Sequence, residues 1–526
     1  MMQTRNLGGS FLATPPSATF IPEDFGPEER LMIGEAEQFS RKVVLPLAER
    51  LDRQEDGLMP GLIRRAGELG FCGIDSPEEY GGLGLPKNLA ARMLEFLSLD
   101  ASFSVTYGIT SGISQVGLSL FGTPEQKAAY LPRLTAGEWI GAYALSEPNS
   151  GTDALSATTR ADRRGDSYVL TGTKMWISNA KWADLFLVMA KVDGERFSSF
   201  LVEADRPGIT IGREEHKMGL KGSSTARLIL DQVEIPVANL LHAEGLGHQV
   251  AFNALNLGRF KLASMSLGPA REALRLATEY AQDRRQFGQP IASFGLVRKK
   301  LAQMATLFFA AESAIYRTGA LIDEAFASSD GTPEGNRAAA EEFAIECSAI
   351  KVFATEVEAF IVDEALQIFG GYGFTEEFPV ARLYRDARVS RIYEGTNEIN
   401  RVALATTLYR RAKAGRISIL GSSETFISGL AAQALVAQPS LPEDQVRLGA
   451  ISDLLILQYV EQSTASRARR LGGVANHLAA IFGAWANPRA AEAYQVVTGQ
   501  SVTLPPIGPL PIDEVAEAVI HKGGVL

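Results

Sequence analysis

The chain has 526 residues, with 51 Lys and Arg against 61 Asp and Glu, a formal net charge of −10 and a hydrophobic content of 46%. That length exceeds what one hydrophobic core serves, so about three or four domains are expected. The acidic balance argues against nucleic acid as the main partner, and it obliges any anionic ligand to find a local basic patch. Two cysteines, Cys72 and Cys347, lie far apart and make neither a disulfide framework nor a metal-ligand spacing. They are expected to be buried free thiols in a reducing compartment, with no metal bound.

Residues 1–26 form a leader with few basic residues and no apolar signal core, unlike a secretion or transit signal. Residues 27–140 read as helical. Glu28, Glu29 and Glu35 load the first turns, where carboxylates favour the helix dipole. Leu31, Ala36, Phe39 and Val43 then recur near helical spacing. SPEEYGGLG at 76–84 predicts a turn, and a helix follows over 89–100. Over 104–119 an apolar helix carries Ser104, Gly108, Ser111, Gly112, Ser114 and Gly117, small residues that suit either a deep pocket or close packing.

Between 141 and 245 short β-branched and aromatic segments take over. Strands are predicted at 168–171, 185–190, 198–202 and 226–230, with hairpin turns at RGD (164–166) and DGE (193–195). Helical pattern returns over 246–414, with helices at 271–282, 294–327, 336–369 and 402–413 and a loop at 328–335. Residues 415–526 form an extension. It is too apolar at 446–450, 454–460 and 478–482 to be a disordered tail, and is predicted helical at 444–470 and 474–485 and extended at 502–511. The fold class is thus mainly α with a central β domain and a helical C-terminal extension. The closest approach to a membrane span, 303–323, is interrupted by Glu312 and Arg317, so no transmembrane segment is expected. Arg467, Arg469 and Arg470 make a weak basic cluster that could touch a membrane surface.

No GxGxxG follows a strand, so the usual dinucleotide fingerprint is absent. Five other segments stand out in order: YALSEPNSGTD from Tyr143, KMWISN from Lys174, DRRQFGQPI from Asp283, QIFGGYGF from Gln367 and RIYEGTNEINR from Arg391. Taken singly, each has a plain structural reading. Trp176 suits a β core, DRRQF a solvated charge run, and the glycine pair a helix C-terminus. Taken together in this spacing, they resemble the acyl-CoA dehydrogenase family over residues 25–410. GGSF at 8–11 and PEDF at 22–25 resemble the leader of its bacterial members, which implies a cytoplasmic protein, with a membrane-peripheral location as the alternative. SFGL at 293–296, NLGR at 256–259, EGTNEI at 394–399 and the extension resemble the very-long-chain branch.

The resemblance implies an N-terminal helical domain, a middle β-barrel or sandwich, a C-terminal four-helix bundle, and an FAD held between them. Tyr143, Leu145 and Ser146 would line the flavin, with Trp176 and Ser178 on its other side. Arg284 would reach the pyrophosphate of a neighbouring subunit's FAD, since a guanidinium fork matches phosphate oxygens, and Gln286, Phe287 and Phe294 would belong to the cofactor-binding set. Gln367 and Gly371 would take the adenosine end, and Thr396 and Glu398 complete the cofactor set. Thr152, Asn256 and Arg259 would contact acyl-CoA, with Lys217 and Lys221 adding positive charge; Tyr393 and Gly395 would shape the approach. Glu394 would be the base that removes the α-proton while the β-hydrogen leaves as hydride. Some relatives carry the base on the earlier helix, where this chain has Gly258, so Glu394 has no local competitor. The implied product is a trans-2-enoyl-CoA of β-oxidation. The implied partners are an electron-transferring flavoprotein and further copies of the chain, in a homodimer or homotetramer. An oxygen-using oxidase and a non-catalytic scaffold on the same fold are the alternatives.

Overall fold

The computed structural model describes residues 7–14, 18–419, 421 and 423–526; parts of the leader, residues 1–6 and 15–17, lie outside the described residues. The first helices are α1 (Pro27–Phe39), α2 (Ala48–Asp52), α3 (Leu58–Glu68), α4 (Lys87–Leu97), α5 (Ala101–Gly108), α6 (Gln115–Phe121) and α7 (Pro124–Thr135). Local chemistry fixes several of their ends. Asp100 caps α5 by accepting from the Phe103 N–H at 2.9 Å. Thr123 and Gln126 cap α7 reciprocally, each side chain accepting from the other's N–H. The run predicted as one helix over 104–119 is instead α5, a π-helical stretch Ile109–Ser114, and α6.

The β region holds β1 (Gly141–Ala144), β2 (Arg160–Arg164), β3 (Ser167–Ser178), β4 (Leu185–Val192), β5 (Arg196–Glu203), β6 (Ile209–Ile211), β7 (Thr225–Pro236) and β8 (Leu240–Leu241). They pair in the order β6-β7-β3-β2-β4-β5-β8, with β1 added parallel to β4. The RGD and DGE turns close the antiparallel pairs β2–β3 and β4–β5, as predicted. Tyr168, Phe186, Phe200, Leu228 and Ile235 fill one buried cluster of this sheet.

Beyond the sheet come α8 (Gly247–Asp283), α9 (Gly295–Ala327), α10 (Pro333–Glu342), α11 (Ala344–Phe369), α12 (Pro379–Ala387), α13 (Asn397–Lys413), α14 (Phe426–Ala437), α15 (Gln445–Leu471), α16 (Val474–Thr498) and α17 (Ile512–Lys522). Three expectations change. The helix predicted over 336–369 breaks at Phe343, whose backbone (φ −100°, ψ 31°) leaves the helical region. Beside the break, Glu342 and Glu346 accept the Gly8 and Gly9 N–H groups at 3.0 and 2.7 Å. The helix predicted over 474–485 continues through Pro488 to Thr498. Helices α14 and α17 were not anticipated.

The chain divides into two compact units. One holds Leu31–Lys261 and Ser328–Glu341; the other holds Met1–Arg30, Leu262–Ala327 and Glu342–Leu526. In the first, two of the small residues of 104–119, Ser114 and Gly117, serve close packing. A Cβ on Gly117 would stand 3.0 Å from the Leu187 side chain, and one on Gly141 would stand 2.8 Å from Ser114. In the second, α11 packs on α9 and α13, α15 on α9, α13 and α16, and α17 on α9. The extension is therefore part of the helical core, as its apolar content predicts. The leader is bound into the same unit: Phe11 lies edge-on to Tyr459 at 5.0 Å, and Gln462 donates to the Phe11 carbonyl at 3.0 Å.

Two arginines of the weak basic cluster are committed to ion pairs, while Arg469 is exposed. Arg467 is 2% exposed and pairs with Glu312 and Glu23, each at 2.6 Å, while Arg470 pairs with Asp24 at 2.5 Å. Among the described residues no helix is long and apolar enough to cross a membrane. Cys72 and Cys347 are buried free thiols, and burial pushes the Cys72 thiol up to about 12.

Candidate active site

The predicted site residues gather into clusters, each within one unit. In the unit that contains the sheet, β1 carries Tyr143 and leads to Leu145 and Ser146. The Met175 N–H donates to the Ser146 carbonyl at 2.9 Å, which brings that segment beside Trp176 and Ser178 on β3. The register of β3 against β7 slips between Lys174 and Ile177, and Trp176 adopts a left-handed φ of 56°. A bulge of this kind re-aims a side chain. Trp176 is accordingly 56% exposed, not part of the β core that its residue type favours. Lys174 beneath it is fully buried and donates to Glu147 at 2.7 Å and to the Leu145 carbonyl at 3.1 Å. Glu147 also accepts the Thr158 and Thr159 N–H groups. These bonds and the Lys174 ammonium outweigh its desolvation and hold its carboxyl down to about 2. Lys174 and Glu147 are thus the brace of this cluster, a role the sequence did not indicate beyond a lone lysine in an otherwise strand-like run.

Also in this unit, Asn256 and Arg259 share a face of α8, and Arg259 donates to Asn256 Oδ1 at 3.0 Å. Thr152 is exposed in the loop after β1. Lys217 donates to Ser223 and Thr225, which commits it to its own loop.

In the other unit, Arg284 follows the last residue of α8, and Gln286 is the second residue of a short hairpin strand that begins at Arg285. Phe287, at its tip, is 94% exposed with a φ of 51°, and meets Phe294 edge-on at 6.1 Å. Arg284 and Gln286 line a cavity of about 520 Å³ with Tyr280, Gly370, Gly371 and Tyr372. The Arg284 guanidinium lies 5.6 Å from the Tyr372 ring centroid. Gly370 ends α11 with a φ of 61°, and a Cβ on Gly370 or Gly371 would meet open space. A guanidinium beside exposed backbone at a glycine pair fits a phosphate-bearing cofactor. Gln367 is exposed, one turn earlier on α11, and is not among the residues lining the cavity.

The third cluster surrounds Glu394. Its φ of 57° is left-handed, a conformation that is costly for a residue with a long side chain. Gly395 follows with a φ of 83°, and Thr396 caps α13 by accepting from the Ile399 N–H at 3.2 Å. Buried amides and an ammonium hold this strained turn. Asn400 Nδ2 donates to the Gly395 carbonyl at 2.7 Å and to the Thr396 carbonyl at 3.1 Å. Lys351 Nζ, from α11, donates to the Gly395 carbonyl and to Asn397 Oδ1, both at 2.8 Å. Glu394 is half-buried, with its Oε2 closed off from solvent, and it precedes the N-terminus of α13, where the helix dipole favours negative charge. Burial, and the carboxylates of Glu358 and Glu394, push the Tyr393 hydroxyl well above its ordinary range. Glu398 lies exposed in the first turn of α13. Lys351, Asn397 and Asn400 were not anticipated; a single lysine inside the apolar run of α11 was the available signal. Among the described residues no group of His, Cys, Asp and Glu could hold a metal ion.

Family models match in the order of these regions. The acyl-CoA dehydrogenase N-terminal, middle and C-terminal domain models cover residues 26–138, 142–233 and 245–409. A probable acyl-CoA dehydrogenase of Bacillus subtilis is 45% identical over 426 residues, 80% of this chain and 72% of its own. The crystal structure of an acyl-CoA dehydrogenase from Bacillus anthracis, complexed with FAD, superposes with a TM-score of 0.91 at 37% identity, covering 99% of this chain and 100% of that one. Human relatives specific for short and for very long acyl chains are 37% and 40% identical, over 72% and 64% of this chain; the latter is spanned over only 51% of its length. On the strength of domain models that run from residue 26 to 409, and a relative matched at this level over most of its length, the chain belongs to the acyl-CoA dehydrogenase family.

Proposed function

We propose that this protein is an FAD-dependent dehydrogenase of fatty acyl-CoA thioesters, with Glu394 as the catalytic base. The observation that carries the reading is the strained, braced turn at Glu394. A carboxylate held in a left-handed conformation by Lys351 and Asn400 is fixed in one direction before substrate arrives. The α-proton of a thioester is weakly acidic, and a half-buried carboxylate at a helix N-terminus can accept it and hold it. The backbone N–H of Glu394 is the donor for the thioester oxygen, while Tyr393 and Gly395 border the approach. A bound flavin would supply the acceptor for the β-hydrogen, which leaves as hydride.

Cofactor binding is supported by the exposed, re-aimed Trp176 with Tyr143, Leu145, Ser146 and Ser178, by the glycine-edged cavity at Arg284, Gln286 and Gly371, and by the FAD in the Bacillus anthracis relative. Phe287, Phe294, Gln367, Thr396 and Glu398 belong to the same proposed set. Thr152, Asn256 and Arg259 are assigned to acyl-CoA. The working division is a leader at 1–26, helical domain at 27–140, β domain at 141–245, bundle at 246–414 and extension at 415–526. Kinship with the very-long-chain branch, and with it a long acyl chain, rests on SFGL, NLGR, EGTNEI and the extension. It draws no support from the small residues of 104–119, since Ser114 and Gly117 are used in packing. Electron-transferring flavoprotein is the proposed acceptor, and the proposed assembly is a homodimer or homotetramer.

Anaerobic mixing of the flavin-loaded protein with palmitoyl-CoA tests the reading. Loss of the oxidised flavin absorbance is expected, and an unchanged spectrum with every acyl-CoA would refute it. Reoxidation by electron-transferring flavoprotein but not by oxygen is expected to follow; rapid reoxidation by oxygen would assign an oxidase.

A further inference from the structure

The helical extension reaches the Glu394 turn through a continuous chain of hydrogen bonds, all within one compact unit. Two neighbouring residues of α15 grip Arg401 of α13 at both ends. Ser452 Oγ donates to the Arg401 carbonyl at 2.6 Å, and Arg401 Nε donates to Asp453 Oδ1 at 2.7 Å. The rest of the guanidinium makes a fork on Glu356 of α11, with Nη1 to Oε1 at 2.8 Å and Nη2 to Oε2 at 3.2 Å. Glu356 Oε1 also accepts from Asn397 Nδ2 at 3.2 Å. Asn397 Oδ1 accepts from Lys351 Nζ, which donates to the Gly395 carbonyl as well, both at 2.8 Å. These side chains run without a gap from the extension to the residue that follows Glu394.

The two ends of the chain differ. Lys351 and Asn397 are buried, whereas the side chains of Glu356 and Asp453 are 41% and 40% exposed. Ion pairs this open add little to global stability. Their effect is on direction. Asn397 must present its oxygen to Lys351, and a flipped amide would set its NH2 group against the ammonium. The Thr355 hydroxyl lies near both ends of the amide, at 3.1 and 3.3 Å, so it does not choose between them. Glu356 does choose, because a carboxylate only accepts, and Arg401 holds Glu356 in place.

We propose that Asp453 is a positioning residue: through Arg401, Glu356 and Asn397 it keeps Lys351 on the Gly395 carbonyl, and so holds the turn that aims Glu394. The extension thereby serves the reaction as well as the stability of the helical unit. The inference rests on Glu394 being the base.

The test is Asp453→Asn, which keeps the size of the side chain and removes the charge facing Arg401, with Asp453→Glu as the variant that keeps the charge. The FAD-loaded full chain is used throughout. The readouts are the limiting rate of flavin reduction at saturating palmitoyl-CoA, the concentration at half-saturation, the melting temperature, and amide hydrogen exchange over 392–400, where the Tyr393, Ile399 and Asn400 N–H groups are bonded. Asp453→Asn should lower the limiting rate about tenfold and leave half-saturation within about twofold, since a displaced base costs rate and not binding. Asp453→Glu should recover most of that rate. Exchange over 392–400 should quicken in Asp453→Asn while melting stays near that of wild type. In a Glu356→Ala background, where the chain is already cut, Asp453→Asn should change the rate no further. An unchanged limiting rate, unchanged exchange over 392–400, or the same loss with and without Glu356 would overturn the proposal. Exchange needs no turnover, so the two readings separate: quickened exchange beside an active Glu394→Gln refutes the base alone, and unchanged exchange beside an inactive Glu394→Gln refutes Asp453 alone.

Discussion

Glu394 shows how a single residue can be costly to the fold and still be retained. Its left-handed φ is stabilised only because Lys351, Asn397 and Asn400 satisfy the carbonyls and cap of the turn around it. Glu394→Gln keeps the shape and removes the base. It is expected to bind FAD and acyl-CoA but to lose at least about a hundredfold in dehydrogenation rate. Stopped-flow flavin reduction checks this, and near wild-type rates would remove Glu394 from its role. The other informative residue pair is Lys174 with Glu147. Glu147 is held down to about 2 in the folded protein, below its ordinary 4.5. A depressed carboxyl contributes stability above 4.5 and loses it as pH falls toward 2. Glu147→Gln should therefore melt lower than wild type at neutral pH, with the gap closing on acidification through that window. A gap that is constant from pH 7 to pH 2.5 would contradict the sign.

Among the elements, the C-terminal helices are the ones whose role the fold clarifies most. Helix α15 lies against α9, α13 and α16, and its Arg467 is buried between Glu312 on α9 and Glu23 of the leader, with its guanidinium 4.2 Å from the Phe309 ring centroid. Breaking a buried ion pair on one side leaves an uncompensated charge and costs about 3–5 kcal/mol. Arg467→Met should lower the unfolding free energy by about that amount in denaturant titrations. It should also render the leader and extension more sensitive to protease. Unchanged stability would mean that the extension is not integral to the helical unit.

At the scale of the whole molecule, an exposed cavity and an exposed ring bear on assembly. Arg284 and Gln286 line an exposed cavity at the glycine pair after α11, and Phe287 beside them is nearly free of contacts, at 94% exposure. An apolar ring left this exposed suits a contact that the single chain does not make. Arg284→Ala is expected to lose FAD on dilution while the β region keeps its circular dichroism, and the wild-type holoprotein should sediment as a dimer or larger. A monomer carrying a full complement of FAD would refute the shared site.

The sequence by itself determined the succession of helical, β and helical regions, because hydrophobic period and turn chemistry are local properties. The hairpins at 164–166 and 193–195 and the packed extension were legible for that reason. The ordered motifs also marked Glu394, Arg284 and Trp176 as candidates, since residue type and spacing survive in one dimension. What the sequence did not determine was direction and partnership. Trp176 faces out because β3 slips against β7, and the break at Phe343 lies beside carboxylates that bind Gly8 and Gly9, more than three hundred positions away. Arg467 and Arg470 are spent on Glu23, Asp24 and Glu312. Within 104–119, Gly117 and Ser114 meet Leu187 and Gly141 closely. Such outcomes depend on which distant groups share a desolvated site, and only the tertiary structure brings those groups together.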